Sequence, residues 1–203
     1  MNDNRNVLEG FFRSRSGAAM AVKGGLFRRW LSQSSPATHG IEFLPRNLLN
    51  RVVAPDLNVV SIKSAALPAF VIVSLEGLDV GGVVETLAAI NGLSLSSRIC
   101  IAADYETLGS LDKGGIDETR IGFLLDKVNA DTPLAHIADD SIEVVRFDPA
   151  FALRAVNHFR SGCMLEAMLV LTRNLGLCTL GPAMPPCEDP PALAFDYFPE
   201  VLG

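Results

Sequence analysis

Gly122-Phe123-Leu124-Leu125-Asp126-Lys127-Val128-Asn129 and, about twenty residues on, Glu143-Val144-Val145-Arg146-Phe147-Asp148-Pro149-Ala150-Phe151 are the stretches that decide the fold. Each is a short apolar run that ends on charged residues. Such runs are too brief for helices and have the Val, Ile, Leu and Phe content of strands buried on both faces. Similar runs recur on either side: Asn58–Ile62, Ala69–Leu75, Arg98–Ala102, Arg120–Asp126, Ile142–Asp148, Leu177–Leu180 and Leu193–Phe198. Helical stretches lie between them. Val80–Ile90 would place Val83, Val84, Leu87 and Ile90 on one face, and Leu165–Leu175 would align Leu165, Met168, Leu169, Thr172 and Leu175 before the stop signal Gly176. Strands separated by single helices must run parallel, so the expected fold is α/β, either an open doubly wound sheet or a TIM-like barrel. Neither a G-x-G-x-x-G nor a G-x-x-x-x-G-K-[ST] motif is present, which argues against a nucleotide-binding Rossmann or P-loop enzyme.

Composition supports a globular body. The chain has 203 residues, 49% hydrophobic and 20% charged, with a mean hydropathy of +0.30. That apolar content excludes a disordered chain. The longest apolar run, Ala65 to Leu75, is broken by Pro68 and falls short of the 18 or so residues of a membrane span. The net charge of −6 is unevenly spread: residues 1–35 carry six basic and two acidic side chains, the remainder eleven and twenty-one. An acidic body of this kind repels nucleic acid, so no nucleic acid partner is expected. Cys100, Cys163, Cys178 and Cys187 include no C-x-x-C pair and no histidine at ligand spacing. They are expected to be reduced structural residues of a cytoplasmic protein. His39, His136 and His158 stand in no nucleophile or metal pattern, and Asp139-Asp140 has the character of a solvated turn.

The basic N-terminal segment lacks the apolar core of a secretory signal. Leu26, Phe27, Trp30 and Leu31 pair at i, i+4 around Arg28 and Arg29, which predicts a short amphipathic helix. It would pack on the body, or serve as an interaction surface for a partner or a peripheral membrane contact. Ser32–Pro36 would be a linker, giving an N-terminal extension over 1–40 and a barrel domain over 41–203. The proline-rich stretch from Pro182 to Pro191, with Cys187, is a stiff loop ahead of the last strand.

In a barrel, chemistry collects where strands end. The strand-end polar residues are Ser74 and Glu76, Asp104 and Glu106, Asp126, Lys127 and Asn129, then Arg146 and Asp148. At this point the order of segments from Ile121 to Pro182 resembles the EAL family, bacterial cyclic di-GMP phosphodiesterases. Gly122–Asn129 is similar to the strand that carries an Asp-Asp-Phe-Gly motif in that family. Glu143–Phe151 is similar to its Lys-Ile-Asp strand and the following Ser-Phe, and Leu171–Gly181 to its Leu-Gly-Leu helix end and next strand. Phe195–Phe198 would be the last barrel strand, and the resemblance extends over roughly residues 69–200. It implies a TIM-barrel-like fold in which two divalent cations activate water.

The departures from that pattern fall on the metal ligands. Asp126 matches the first Asp of the pair, but the second is Lys127, whose ammonium repels a dication. Arg146 replaces the family's lysine, Ala102 and Ala103 stand before Asp104 where a glutamate is needed, and Leu180-Gly181-Pro182 offers no carboxylate. The region before residue 69 is too short for two strands with their helices, so the Glu-Ala-Leu signature is expected to be missing. Glu42 or Asn58 are candidates for remnants of those first strands. The expectation is therefore a degenerate, catalytically inactive EAL-like barrel, remodelled in its first strands. It would be a regulatory pseudoenzyme with no cofactor, acting by protein–protein interaction. Asp126, Arg146 and Asp148 are its candidate ligand-binding residues, either a buried ion-pair cluster or a vestigial cyclic di-GMP site. Unpaired edges of an incomplete barrel would favour a homodimer, or would be covered by the N-terminal segment. Two rivals are a small-molecule hydrolase using Asp126 and Asp148 as an acid/base pair, and a membrane-associated adaptor anchored by Leu26–Leu31.

Overall fold

The computed structural model describes residues 20–22, 25–34, 39–48, 51–53, 70–91, 98–111, 116, 119–182 and 194–199, and for 20–27, 39, 46–48 and 51–53 the backbone alone. The expected strand Asn58–Ile62, with Asn58, lies outside the described residues, as do Cys187 and most of the proline-rich loop.

The strands are β1 (Met20–Val22), β2 (Gly25–Ser32), β3 (His39–Leu44), β4 (Arg46–Leu48), β5 (Arg51–Val53), β6 (Phe70–Ser74), β7 (Arg98–Ala103), β8 (Ile121–Val128), β9 (Ile142–Phe147), β10 (Cys178–Leu180) and β11 (Tyr197–Pro199). The helices are α1 (Val80–Asn91), α2 (Tyr105–Ser110), α3 (Leu134–Ile137), α4 (Pro149–Asn157) and α5 (Phe159–Asn174). Strands β3, β6, β7, β8, β9, β10 and β11 pair in that order, all parallel. β2 closes the ring, antiparallel to β3 from Leu26↔Leu44 to Leu31↔His39 and to β11 from Tyr197↔Ser32 to Pro199↔Trp30. The result is a closed mixed barrel of eight strands with helices outside. β1 forms a hairpin on β2, and β4 with β5 a second, separate hairpin.

This arrangement corrects the expectation for the N-terminal segment. Residues 25–32 are not an amphipathic helix on an extension but a barrel strand, and a boundary at residue 40 falls inside β3. Trp30 is only 1% exposed, so it cannot serve as a membrane or partner anchor, and Leu31 is half-buried. Leu26 and Phe27 lie on the same strand, but their side chains are outside the described set. The barrel edges are covered by β2 of the N-terminal segment, the second of the two expected outcomes, which removes the premise of an edge-driven homodimer. The region before residue 69 holds two barrel strands because antiparallel neighbours need only a short link, not a helical crossover.

Alternation along the strands separates two cores. Outward residues such as Val71, Val73, Ile101, Phe123, Leu125, Val145 and Phe147 pack with Ile90, Leu108, Phe151, Leu165, Met168 and Leu169 of the helices. Inward residues Trp30, Phe70, Ile72, Cys100, Ala102, Leu124, Val144 and Leu180 fill the lumen. An eight-stranded barrel is just wide enough for its side chains to fill it. Gly40 permits one of these contacts, since a Cβ there would sit 2.2 Å from the Phe70 ring. On α1 the inner face is Ile90 with Val83 and Leu87, but Val84 is 60% exposed and Thr86 takes the buried place, its hydroxyl donating to the Gly82 carbonyl at 2.7 Å. α5 buries Leu165, Met168, Leu169 and Thr172 and ends where Gly176 turns to φ 74°, leaving Leu175 exposed.

Candidate functional site

The charged side chains at the C-terminal end of the lumen come from β3, β8 and β9. β9 aims Arg146 inward, and its guanidinium takes two carboxylates. Nε donates to Asp126 Oδ1 at 2.7 Å, Nη2 donates to Asp126 Oδ2, and Nη1 donates to Glu42 Oε1. Glu42 is 0% exposed, Asp126 7% and Arg146 9%. The other oxygen of Glu42 accepts from Trp30 Nε1 at 3.1 Å and from Arg28 at 3.3 Å. Both guanidinium groups stand 5.9 Å from the Trp30 ring centroid. Burial pushes the Arg146 guanidinium toward deprotonation, but Glu42 and Asp126 outweigh it and hold the group above its ordinary value.

β8 ends in an irregularity that places these groups. The β8–β9 register shifts between Leu125 and Val128, and Lys127 adopts a φ of 58°. This left-handed conformation is costly for a residue with a Cβ. Asp126 faces inward by ordinary alternation after Leu124, and its Oδ1 also accepts the Lys127 amide at 2.7 Å, while the bulge turns Val128 to the outer core. Lys127 is carried to the rim, where its ammonium meets Glu76 at 2.8 Å. The hydrogen bond to Glu76 holds Lys127 above its ordinary value.

The remaining strand-end acids are helix caps. Asp104 Oδ1 accepts the Thr107 amide at 2.9 Å at the start of α2, and that bond holds its carboxyl below the usual range. Asp148 Oδ1 accepts the Phe151 amide at 2.7 Å ahead of Pro149, the first residue of α4. Asp148 borders a groove of about 380 Å³ beside α4 and α5, lined also by Asn129, Asp131, Arg154, Arg160 and Met164. The expected trio is thus divided: Arg146 and Asp126 meet as an ion pair, while Asp148 caps a helix. With Asp126 held by the Nε and Nη2 edge of the guanidinium and Asp148 on an amide, the two do not form an acid/base couple.

A second ion pair, partly exposed, lies at the opposite end of the strands. Arg98 Nε donates to Glu143 Oε2 at 2.9 Å and its Nη2 donates to Oε1. Glu143 is the extra residue where the β8–β9 register slips, and its carboxylate lies over Gly122, whose Cβ would fall 2.4 Å away.

Other candidates resolve as structural. Burial pushes the Cys100 and Cys178 thiols up to about 12, so neither is a nucleophile at neutral pH. Asp139 accepts from the Ser141 amide at 2.9 Å in a turn, and His136 stacks on Tyr105 at 5.1 Å. Among the described residues no group of three or more His, Cys, Asp or Glu is placed to hold a metal ion, and no helix is long and apolar enough to cross a membrane.

Sequence reasoning underrated Glu42. It begins Glu42-Phe43-Leu44 on β3, which departs from Glu-Ala-Leu only at its middle residue. The signal was available in the sequence, and the length argument against early strands concealed it. The residues at this end of the lumen do not fit a pair of divalent cations. A guanidinium stands between the two acids, an ammonium follows Asp126, and β7 and β10 contribute only Ala102 and Leu180 to the lumen.

At the sequence level no family model and no curated protein matches the chain. Solved structures do. The FimX EAL domain matches with a TM-score of 0.56 at 13% identity, covering 98% of this chain and 94% of that one. The FimX EAL domain from Pseudomonas aeruginosa bound to c-di-GMP matches with 0.55 at 12%, covering 98% and 93%. The EAL enzyme Bd1971, in a form with cAMP and cyclic-di-GMP bound, matches with 0.55 at 10%. This chain covers 97% of itself in that match but spans only 63% of the Bd1971 chain. The chain has the fold of an EAL domain.

Proposed function

We propose that this protein is a non-hydrolytic EAL-like regulator in bacterial cyclic di-GMP signalling. It acts through protein–protein contacts, with a second copy of the chain among the candidate partners, and retains weak binding of the dinucleotide. One observation carries the reading: the acids on β3 and β8 are neutralised by the chain's own Arg146. Metal-assisted hydrolysis needs open coordination positions on a cation and a water held there. Glu42 and Asp126 instead spend their oxygens on a side chain. The fold supports the signalling class, since the FimX and Bd1971 domains it resembles are described with c-di-GMP bound.

Isothermal titration with cyclic di-GMP, with and without magnesium, tests the ligand, and a hydrolysis assay tests the chemistry. The expected outcome is binding indifferent to magnesium and no linear dinucleotide product. Turnover that disappears in Asp126→Ala would overturn the proposal.

A further inference from the structure

The groove of about 380 Å³ beside α4 and α5 belongs to the outer helix layer, not to the lumen. Phe151 and Met164 give it an apolar lining. Its charged lining is balanced: Asp131 from the β8–α3 loop and Asp148 ahead of α4, Arg154 of α4 and Arg160 of α5. Among the described residues, the side chains of Asp131, Arg154 and Arg160 make no ion pair or hydrogen bond. Opposite charges thus share one cavity without touching, separated by space that a ligand can enter. The surrounding backbone is held in place. Asn129 Oδ1 accepts the Asp131 amide at 2.8 Å, and Gly162 lets α5 lie close on α4, since a Cβ there would sit 3.0 Å from the Ala155 carbonyl. His158 provides no side-chain cap to α5, so the first turn, with Arg160 and Ser161, keeps amides and a dipole that favour a carboxylate.

We propose that this groove binds a small zwitterion, an apolar α-amino acid. Its carboxylate would lie on Arg154 and Arg160, its ammonium on Asp131, and its side chain against Phe151 and Met164. Arginine is the side chain best shaped for a carboxylate. A pure anion such as phosphate would meet Asp131 and Asp148, and a pure cation would meet two guanidinium groups. Only a ligand carrying both charges is matched throughout. The groove is separate from the lumen, so the proposal stands whether or not the protein binds the dinucleotide.

Calorimetric titration of the full-length protein with L-leucine, L-methionine and L-phenylalanine tests the site. Saturable binding of at least one is expected. The N-acetyl and the carboxamide forms of the tightest should each bind about tenfold or more weakly, because each loses one charge-assisted contact. Arg154→Ala, Arg160→Ala and Asp131→Asn should show the same loss. All three positions are exposed, so the variants should keep the far-ultraviolet spectrum of wild type. In Asp131→Asn, acetylating the ligand amine should cost nothing further, since the partner of the ammonium is already gone. Arg173→Ala, in the last turn of α5 and outside the groove, should bind as wild type does. Failure of all three amino acids to bind saturably would overturn the proposal. So would blocked forms that bind as tightly as the free amino acid, or an equal loss in Arg173→Ala. Inorganic phosphate binding in their place would make the groove an anion site and overturn the zwitterion.

Discussion

Gly40 and Gly122 both lack a side chain because another residue lies across them, yet the two contacts differ in kind. A Cβ on Gly40 would press into the Phe70 ring, which is locked in the filled lumen. Overpacking of this sort costs about 1–3 kcal/mol. A Cβ on Gly122 would meet the carboxylate of Glu143, the free end of a flexible side chain. That group can swing away at the expense of its pair with Arg98, whose two members are 33% and 36% exposed. A pair that wet contributes roughly 0–1 kcal/mol. Gly40→Ala is therefore expected to lower the urea midpoint markedly and Gly122→Ala only slightly. Equal losses would show that the rim pair, not the ring contact, limits the barrel. The role of Asp148 can be read the same way. Asp148→Ala should lose about 0.5–2 kcal/mol and Asp148→Asn little, because an amide oxygen also caps. If both variants instead keep full stability and lose dinucleotide affinity, Asp148 is a ligand residue rather than a cap.

At the scale of elements the decisive one is β2, since it alone closes the ring. Leu26, Phe27, Trp30 and Leu31 satisfy a helical spacing, but so short a run satisfies period two as well, with Arg28 and Trp30 on one face. Register with β3 and β11 settles the choice in favour of the strand, and no local propensity could have done so. The parallel strands were legible for the opposite reason. Buried on both faces, β6 to β9 are near-continuous apolar runs, and their bounds in the structure depart from the expected ones by a residue or two. Of the site, Asp126 and Arg146 were legible as strand-end charges. Glu42 was harder: its partner lies 104 residues away, and the local Glu42-Phe43-Leu44 signal was masked by the expectation that no barrel strand fits before residue 69. Asp148 was overread, although Asp-Pro ahead of an apolar run is a cap signal. A variant lacking residues 1–33 would lose β2 and leave β3 and β11 without their antiparallel neighbour. It is expected to melt without a cooperative transition in far-ultraviolet circular dichroism. A truncated protein with the full-length melting profile would show that β2 is dispensable to the barrel.

Over the whole molecule, charge closes the barrel at both ends: Arg98 with Glu143 at one, Arg146 with Glu42 and Asp126 at the other. These pairs differ in what proton concentration does to them. Arg146 is held above its ordinary value, so its contribution is complete below that value and persists throughout the alkaline range in which lysines titrate. Lys127 is also held above its ordinary value, and what it adds is lost as pH rises through that raised value. The loss should be shallow, since Lys127 and Glu76 are each about half exposed. Asp104 runs the other way. Its carboxyl is held down by the Thr107 amide, so its contribution is present above the unfolded aspartate value, about 3.9, and is lost as pH falls through the lowered one. Urea midpoints followed against pH should therefore fall on the acid side and hold on the alkaline side until lysines deprotonate. Asp104→Asn keeps a capping oxygen but has no proton to take up, so its acid limb should be flatter than that of wild type. Superimposable acid limbs would mean that the α2 cap is not among the groups that destabilise the barrel in acid.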